Sequence, residues 1–428
     1  MEFITALQEQ LVGMAQAAVS GFEGKVEAIS LSAMEQAVQG VLQAVGQTVL
    51  SSWLERQEAR YPPDTVACDC GQAARYERRR QAVTLTLQGR VTYRRAYYRC
   101  RCGCGRCPLD DRLGIRPGHM SEQVVKVATV FGVTDAFASG AELLATVTGL
   151  DLSPNSLRAA CQEVGQQVLA HEAALAARSQ DLAAQRVQRR TGPRPKRLYG
   201  SLDGFQGPFT DGWHEVKMGT WWTVDERQHV AWVRYYADTC PAETLADLVW
   251  ARGFEVGAHQ AEELVFIADG AVWIWNIVQR HFPNAVQIVD FYHASGYLAQ
   301  VARAAFGDGT PEARQWLQIY SHLLHEGRLS AVVQACKRLA DRAPQAVAAL
   351  RHYFAVNRTR LRYGKFRALG FQIGSGIMES GCKQLGTERL KIAGARWSRE
   401  GGRLLAKARA AVLSRELNLL PARLPQVA

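Results

Sequence analysis

The 428-residue chain predicts a multidomain protein of mixed α+β and α/β character. Three observations predict it. Apolar runs alternate with helical periodicity over 197–292, the pattern of a sheet flanked by helices. An alternating hairpin within 64–112 lies between two pairs of cysteines. The stretches 1–60, 121–180 and 294–370 carry helical patterning and no strand signal. A chain this long supplies roughly two to four domains. Its 47% apolar and 21% charged residues are those of a globular protein and exclude wholesale disorder. Membrane and secretory classes are excluded too. The longest uncharged run, 36–54, holds four Gln, two Ser and two Gly, too polar to span a bilayer. Met1-Glu2-Phe3-Ile4 lacks a basic leader. The chain therefore reads as cytoplasmic. Its formal charge of +11 favours a polyanionic partner.

Residues 1–62 are predicted to form an N-terminal helical arm, two helices broken near Gly21-Phe22-Glu23-Gly24. Residues 63–115 form a zinc-ribbon-like hairpin module, with strands at 82–87 and 90–93 around Gln88-Gly89. Residues 116–185 are helical. Ser153-Pro154 starts a helix over about 155–169, and its pairing with the helix before it fits a helix-turn-helix as well as simple packing. Residues 186–196 read as a basic linker. Residues 197–293 give strand, hairpin, helix, strand, helix, strand, the order of a ribonuclease-H-like core. Residues 294–370 form an all-helical insertion, and 371–428 hold the final helices.

Two aspartates mark the core. Asp203 ends the first predicted strand in Ser201-Leu202-Asp203-Gly204, and Asp269 ends the central one in Ile267-Ala268-Asp269-Gly270. Strand ends form the ligand crevice of a parallel sheet. Two acids there repel each other unless a cation neutralises them, and an all-oxygen donor set suits Mg²⁺ or Mn²⁺. Glu379, just after Gly374-Ser375-Gly376, falls in the first turn of a helix and supplies a third carboxylate. Two ions about 4 Å apart would activate a water or a 3′-hydroxyl and stabilise the leaving oxygen of a phosphodiester.

Six of the ten cysteines fall between 68 and 107. Cys68-Asp69-Cys70-Gly71 and Cys100-Arg101-Cys102-Gly103 form a matched pair suited to a structural tetrahedral Zn²⁺. Cys104 and Cys107 are alternative ligands, since they have the more usual two-residue spacing. Cys161, Cys240, Cys336 and Cys382 read as packing residues. Cationic residues that could hold a DNA backbone cluster in three places. These are the hairpin (Arg78, Arg79, Arg80, Arg94, Arg95), the linker (Arg189, Arg190) and the C-terminal segment (Lys383, Arg389, Lys391, Arg396, with Trp397 among them). Trp273 and Trp275 suit core packing of a helix on the sheet, or stacking of an unpaired base.

Four blocks carry a family resemblance. They are Ser201-Leu202-Asp203-Gly204; Ala268-Asp269-Gly270-Ala271-Val272-Trp273-Ile274-Trp275; Asp290-Phe291-Tyr292-His293; and a long run from Tyr353-Phe354 through Ile373-Gly374-Ser375-Gly376 and Glu379-Ser380 to Gly394-Ala395-Arg396-Trp397-Ser398. In this order they resemble the ISKra-type bacterial insertion-sequence transposases, of the group related to Mutator-like DDE enzymes, over nearly the whole chain. The resemblance implies that Asp203, Asp269 and Glu379 are a DDE triad on a ribonuclease-H-like fold. It implies that Asp290 and His293 form an Asp-x-x-His element near the site. It also implies DNA partners, the terminal inverted repeats and a target duplex, in the bacterial nucleoid. Synapsis of two ends requires a homodimer or larger. The competing readings are a ribonuclease-H-like nuclease that cleaves without joining, and a domesticated DNA-binding protein on an inactive scaffold.

Overall fold

The computed structural model describes residues 2–20, 30–58, 62–116 and 118–420. The described chain divides into two units, one of 2–132 with 137–160 and one of 133–136 with 161–420.

In the first unit, α1 (Glu2–Ser20) and α2 (Leu31–Gln57) form the arm, with the Ser30 side chain capping α2 through the amide of Ala33. The predicted break near Gly21-Phe22-Glu23-Gly24 lies outside the described residues. Then β1 (Thr65–Ala67), β2 (Ala73–Thr86), β3 (Gly89–Arg99) and β4 (Gly105–Arg106) make an antiparallel sheet in that order. The hairpin strands are longer than predicted, and the turn is Leu87-Gln88. Gly89 already pairs with Thr86, at a φ of +96° that suits glycine. Val91 and Tyr93 are buried on one face of β3, where Tyr93 packs with Ala82 and Leu109, and Ala96 and Tyr98 are buried on the other, with Cys68, Ala74 and Cys100. Helices α3 (Pro108–Leu113), α4 (Glu122–Thr134) and α5 (Phe137–Thr148) follow, and α6 (Pro154–Gln180) begins here and belongs to the second unit from Cys161 on. Ser153 caps α6 through the amide of Ser156. The helix runs eleven residues beyond the predicted end, carried by an Ala-, Gln- and Leu-rich sequence without Gly or Pro after Gly165.

The second unit begins with a correction. Arg186, Arg189 and Arg190 lie on a helix, α7 (Leu182–Thr191), and only 192–196 is irregular. Asp181 caps α7 and Gly192-Pro193 ends it. The large sheet comprises β5 (Arg197–Phe209), β6 (Gly212–Val224), β7 (Val230–Asp238), β8 (Glu263–Ala268) and β9 (Val286–Val289), in the order β7-β6-β5-β8-β9. Strands β5 to β7 pair antiparallel, while β5–β8 and β8–β9 are parallel. Helices α8 (Ala242–Glu255) and α9 (Val272–His281) connect them. Trp221 packs edge-on to Phe266 and Phe282, with ring centroids 5.2 and 5.4 Å away, in a core that also buries Trp275. Trp275 is thus a packing residue.

Strand β5 does not stop at Asp203. It continues to Phe209 and turns into β6 at Thr210-Asp211. Gly204 is a ladder residue opposite Lys217, and a Cβ there would lie 2.5 Å from the Glu215 carboxylate. Pairing of β5 with β8 does stop early, at Gly200 opposite Phe266. Asp203 therefore stands beyond the parallel ladder, and Asp269 stands one residue past β8. After β9 come α10 (Phe291–Phe306), α11 (Pro311–His325), α12 (Leu329–Lys337), α13 (Pro344–Val356) and α14 (Tyr363–Ala368), with no strand among them. The last elements among the described residues are α15 (Gly376–Cys382), a π-helix over Lys383–Leu390, and α16 (Arg399–Leu413). No helix among the described residues is long and apolar enough to cross a membrane.

Candidate active site and metal centre

Asp203, Asp269 and Glu379 line one cavity of about 360 Å³, together with Asp290, Tyr292, His293, Ser375 and Met378. Three elements deliver the acids: the middle of β5, the turn after β8, and the first turn of α15. Asp203 Oδ1 accepts the Gly204 amide at 2.7 Å, and Asp269 Oδ1 accepts that of Ala271 at 2.9 Å. Burial holds the Asp203 carboxyl above the usual aspartate range; the charge of Asp269 adds to this, and the Gly204 amide partly offsets it.

Asp290 has a different task. It is the N-cap of α10, its Oδ1 accepting the His293 amide at 2.7 Å. Its Oδ2 accepts both the amide (2.5 Å) and the hydroxyl (2.8 Å) of Ser375. With both oxygens engaged and its side chain buried, Asp290 lines the cavity and holds its neighbours in place. The His293 ring lines the cavity and packs near Tyr297 and Tyr353, at centroid distances of 5.9 and 5.8 Å.

Sequence reasoning missed Ser375, Tyr292, Tyr353 and Cys382 as site residues. The buried Tyr353 stacks on Tyr297 at 4.1 Å and presses on Gly270, where a Cβ would lie 2.1 Å from its ring. Gly270 is thus required by a side chain 83 residues away, not merely by a turn. Cys382 approaches Asp203 at 3.5 Å. It lies three residues after Glu379, and that helical spacing was the available signal.

The first unit holds a separate centre. The sulphurs of Cys68, Cys70, Cys100 and Cys102 lie within 4.8 Å of one another and could hold a metal ion. Cys68 Sγ is 3.8 Å from Cys102 Sγ, and Cys70 Sγ is 3.6 Å from Cys100 Sγ. The two turns are built alike: Cys68 N–H donates to Gln72 O as Cys100 N–H does to Cys104 O, and Gly71 and Gly103 both adopt positive φ. Cys104 and Cys107 are not part of this group of four. Among the described residues no other set of three or more His, Cys, Asp or Glu closes as tightly, so the three cavity acids are more widely spaced.

The candidate DNA-contact residues divide by burial. Arg78, Arg79, Arg94, Arg189, Arg190, Lys383, Lys391 and Arg396 are exposed. Arg80 lies over the Tyr97 ring at 3.4 Å and pairs with Glu77. Arg95 and Arg389 are corrections. Arg95 is tied to Asp110, a buried carboxylate that also accepts the Tyr93 hydroxyl at 2.6 Å. Arg389 is 1% exposed, packed 5.1 Å from the Trp397 ring, and burial pulls its pKa down to about 10. Trp397 is half-buried: its indole donates to Leu390 O and its backbone extends the end of β5.

The chain belongs to an uncharacterised protein family (UPF0236), whose model matches residues 25–417. No curated protein matches it.

Proposed function

We propose that this chain is a DNA transposase of the DDE type, of the ISKra-like insertion-sequence group its motifs resemble, cleaving and transferring DNA strands at its element's ends. One observation carries the reading. Asp203, Asp269 and Glu379, separated by 66 and 110 residues in sequence, line the same cavity from three different elements. The order strand, hairpin, helix, strand, helix, strand, held in one five-stranded sheet, supports a ribonuclease-H-like core. The five-residue turn between α5 and α6, capped by Ser153, supports a helix-turn-helix.

The cavity's donor chemistry suits a hard divalent cation. Its carboxylate oxygens face no Lys or Arg among the lining residues, and Asp203 is already pushed towards protonation by burial and by Asp269. Asp203, Asp269 and Glu379 would hold Mg²⁺ or Mn²⁺. A bound divalent ion supplies charge neutralisation at a phosphodiester and eases deprotonation of the attacking hydroxyl. Asp290 holds Ser375, and with it the start of the Glu379 helix. His293 sits where it can orient a phosphate or a water. The cysteine centre supplies a structural zinc that pins the base of a basic hairpin.

The test is cleavage of a labelled duplex carrying the sequences that flank this gene, by wild type and Glu379→Gln, with Mg²⁺, Mn²⁺ or EDTA. Metal-dependent nicking and joined products from wild type, with binding but no cutting by the variant, are expected. Nicks without joining would leave a nuclease. Equal binding with no cutting by either protein would leave a non-catalytic DNA-binding protein.

A further inference from the structure

A second cavity, of about 580 Å³, opens in the helical segment between α12 and α13. Its polar lining comes from Lys337, Arg351, Arg358, His352, Gln334 and Ser330, and no aspartate or glutamate lines it. Lys337, Arg351, His352 and Arg358 are all exposed. The cations of the protein's interior are placed differently. Lys407 meets Glu172 at 2.6 Å and Asp238 at 2.8 Å, and Arg252 meets Glu255 at 3.0 Å. Among the described residues Lys337, Arg351 and Arg358 meet no carboxylate, and three such cations around one concavity raise the local concentration of anions. Helix α13 also connects this groove to the acid cavity. Its Tyr353 presses on Gly270, next to Asp269, while the adjoining Arg351 and His352 face the groove.

We propose that the α12–α13 groove is a binding site for the phosphodiester backbone, engaging DNA that runs on from the acid cavity. Lys337, Arg351 and Arg358 each meet a phosphate, and Ser330 and Gln334 supply neutral donors. These side chains read no bases, so the site positions DNA without selecting sequence. Fork-shaped guanidinium groups at two of the three positions suit phosphate oxygens. The inference rests on the DNA-processing reading above.

The experiment measures binding of a labelled 40-base-pair duplex by fluorescence anisotropy across a salt series, with the full chain. Wild type is compared with Lys337→Gln/Arg351→Gln/Arg358→Gln and with a charge-matched control, Arg303→Gln/Arg314→Gln/Arg338→Gln, whose changes are exposed and outside the groove. The slope of log affinity against log salt should fall by roughly one for each phosphate that is no longer engaged, about two to three for the groove variant and less than one for the control. ATP is titrated in parallel as a small polyphosphate. Equal slopes for the groove variant and wild type overturn the site. So does loss of ATP binding in the groove variant with its DNA slope unchanged, which would assign the groove to a free polyphosphate. Failure of wild type to bind duplex at all overturns the DNA-processing reading and the groove with it, so the two failures are distinguishable. Thermal melting confirms that the exposed substitutions leave the fold intact.

Discussion

The thiol of Cys382 lies 3.5 Å from Oδ2 of Asp203 and donates to it. Burial, reinforced by the charge of Asp203, pushes this thiol well above its usual range, so it remains protonated and serves as a donor. It therefore fixes the rotamer of an acid whose other oxygen is fixed by Gly204. Cys382→Ala should slow metal-dependent DNA cleavage by about three- to tenfold, the scale of removing one hydrogen bond. Cys382→Ser, which keeps a donor, should recover most of the rate. An alanine variant as fast as wild type would show that the thiol only packs there.

Asp290 and Ser375 make a second such relationship across 85 residues. Asp290→Ala removes the α10 cap and both hydrogen bonds to Ser375. It should cost about 2–4 kcal/mol of stability by denaturant unfolding. Under conditions where it remains folded it should lose cleavage while keeping duplex affinity, because the Glu379 helix loses its anchor. Loss of DNA affinity in step with activity would contradict the positioning role.

The acid sensitivity of the second unit should trace to Asp238. Lys407 is fully buried and meets Asp238 at 2.8 Å, and Arg403 meets it at 2.8 Å. Burial alone would raise this carboxyl, but Arg403 and Lys407 outweigh it and hold it below its ordinary value. A carboxyl held low in the folded state contributes stability above its unfolded pKa, and this is lost as pH falls through its folded value. Asp238→Asn, which leaves Lys407 without that charge, should cost about 3–5 kcal/mol at neutral pH. The gap from wild type should narrow as the medium is acidified below the ordinary carboxylate range. A pH-independent gap in urea unfolding would sink this assignment.

Metal analysis of the purified protein should find one zinc per chain. Cys68→Ser or Cys102→Ser should release it, and Cys104→Ser should not. A strong chelator should lower the melting temperature of the first unit while leaving the second unchanged. Retention of zinc in the Cys102→Ser protein would return Cys104 or Cys107 to the ligand set.

The features legible in the sequence were those fixed by local pattern. Helix α9 (Val272–His281) and strand β9 (Val286–Val289) take the last helix and strand places of the order expected over 197–293, because both are short, apolar and bounded by turn residues. The matched Cys-x-Cys-Gly turns were legible because ligand spacing is local. Other features depended on distant partners. Gly204 reads as a turn residue, yet it lies inside the β5–β6 ladder because Lys217 opposes it. Lys407 and Arg409 belong to the basic C-terminal stretch, yet both are buried. Lys407 has Glu172 and Asp238 waiting as partners from other elements. Tyr353 gave no local sign that it would abut the residue after Asp269.

The chain leaves and rejoins the sheet at almost one point. Phe291 N–H donates to Ile373 O, beside the Asp290–Ser375 pair. The eighty-odd residues between them form a closed excursion whose two ends are stitched together. Closing a loop costs only about 0.6 kcal/mol more for each doubling of its length. Its length is thus uncoupled from the position of the third acid. Relatives with much shorter or longer excursions would keep the same acid geometry, so a search for distant members should fix the order of the three acids and leave the final spacing free.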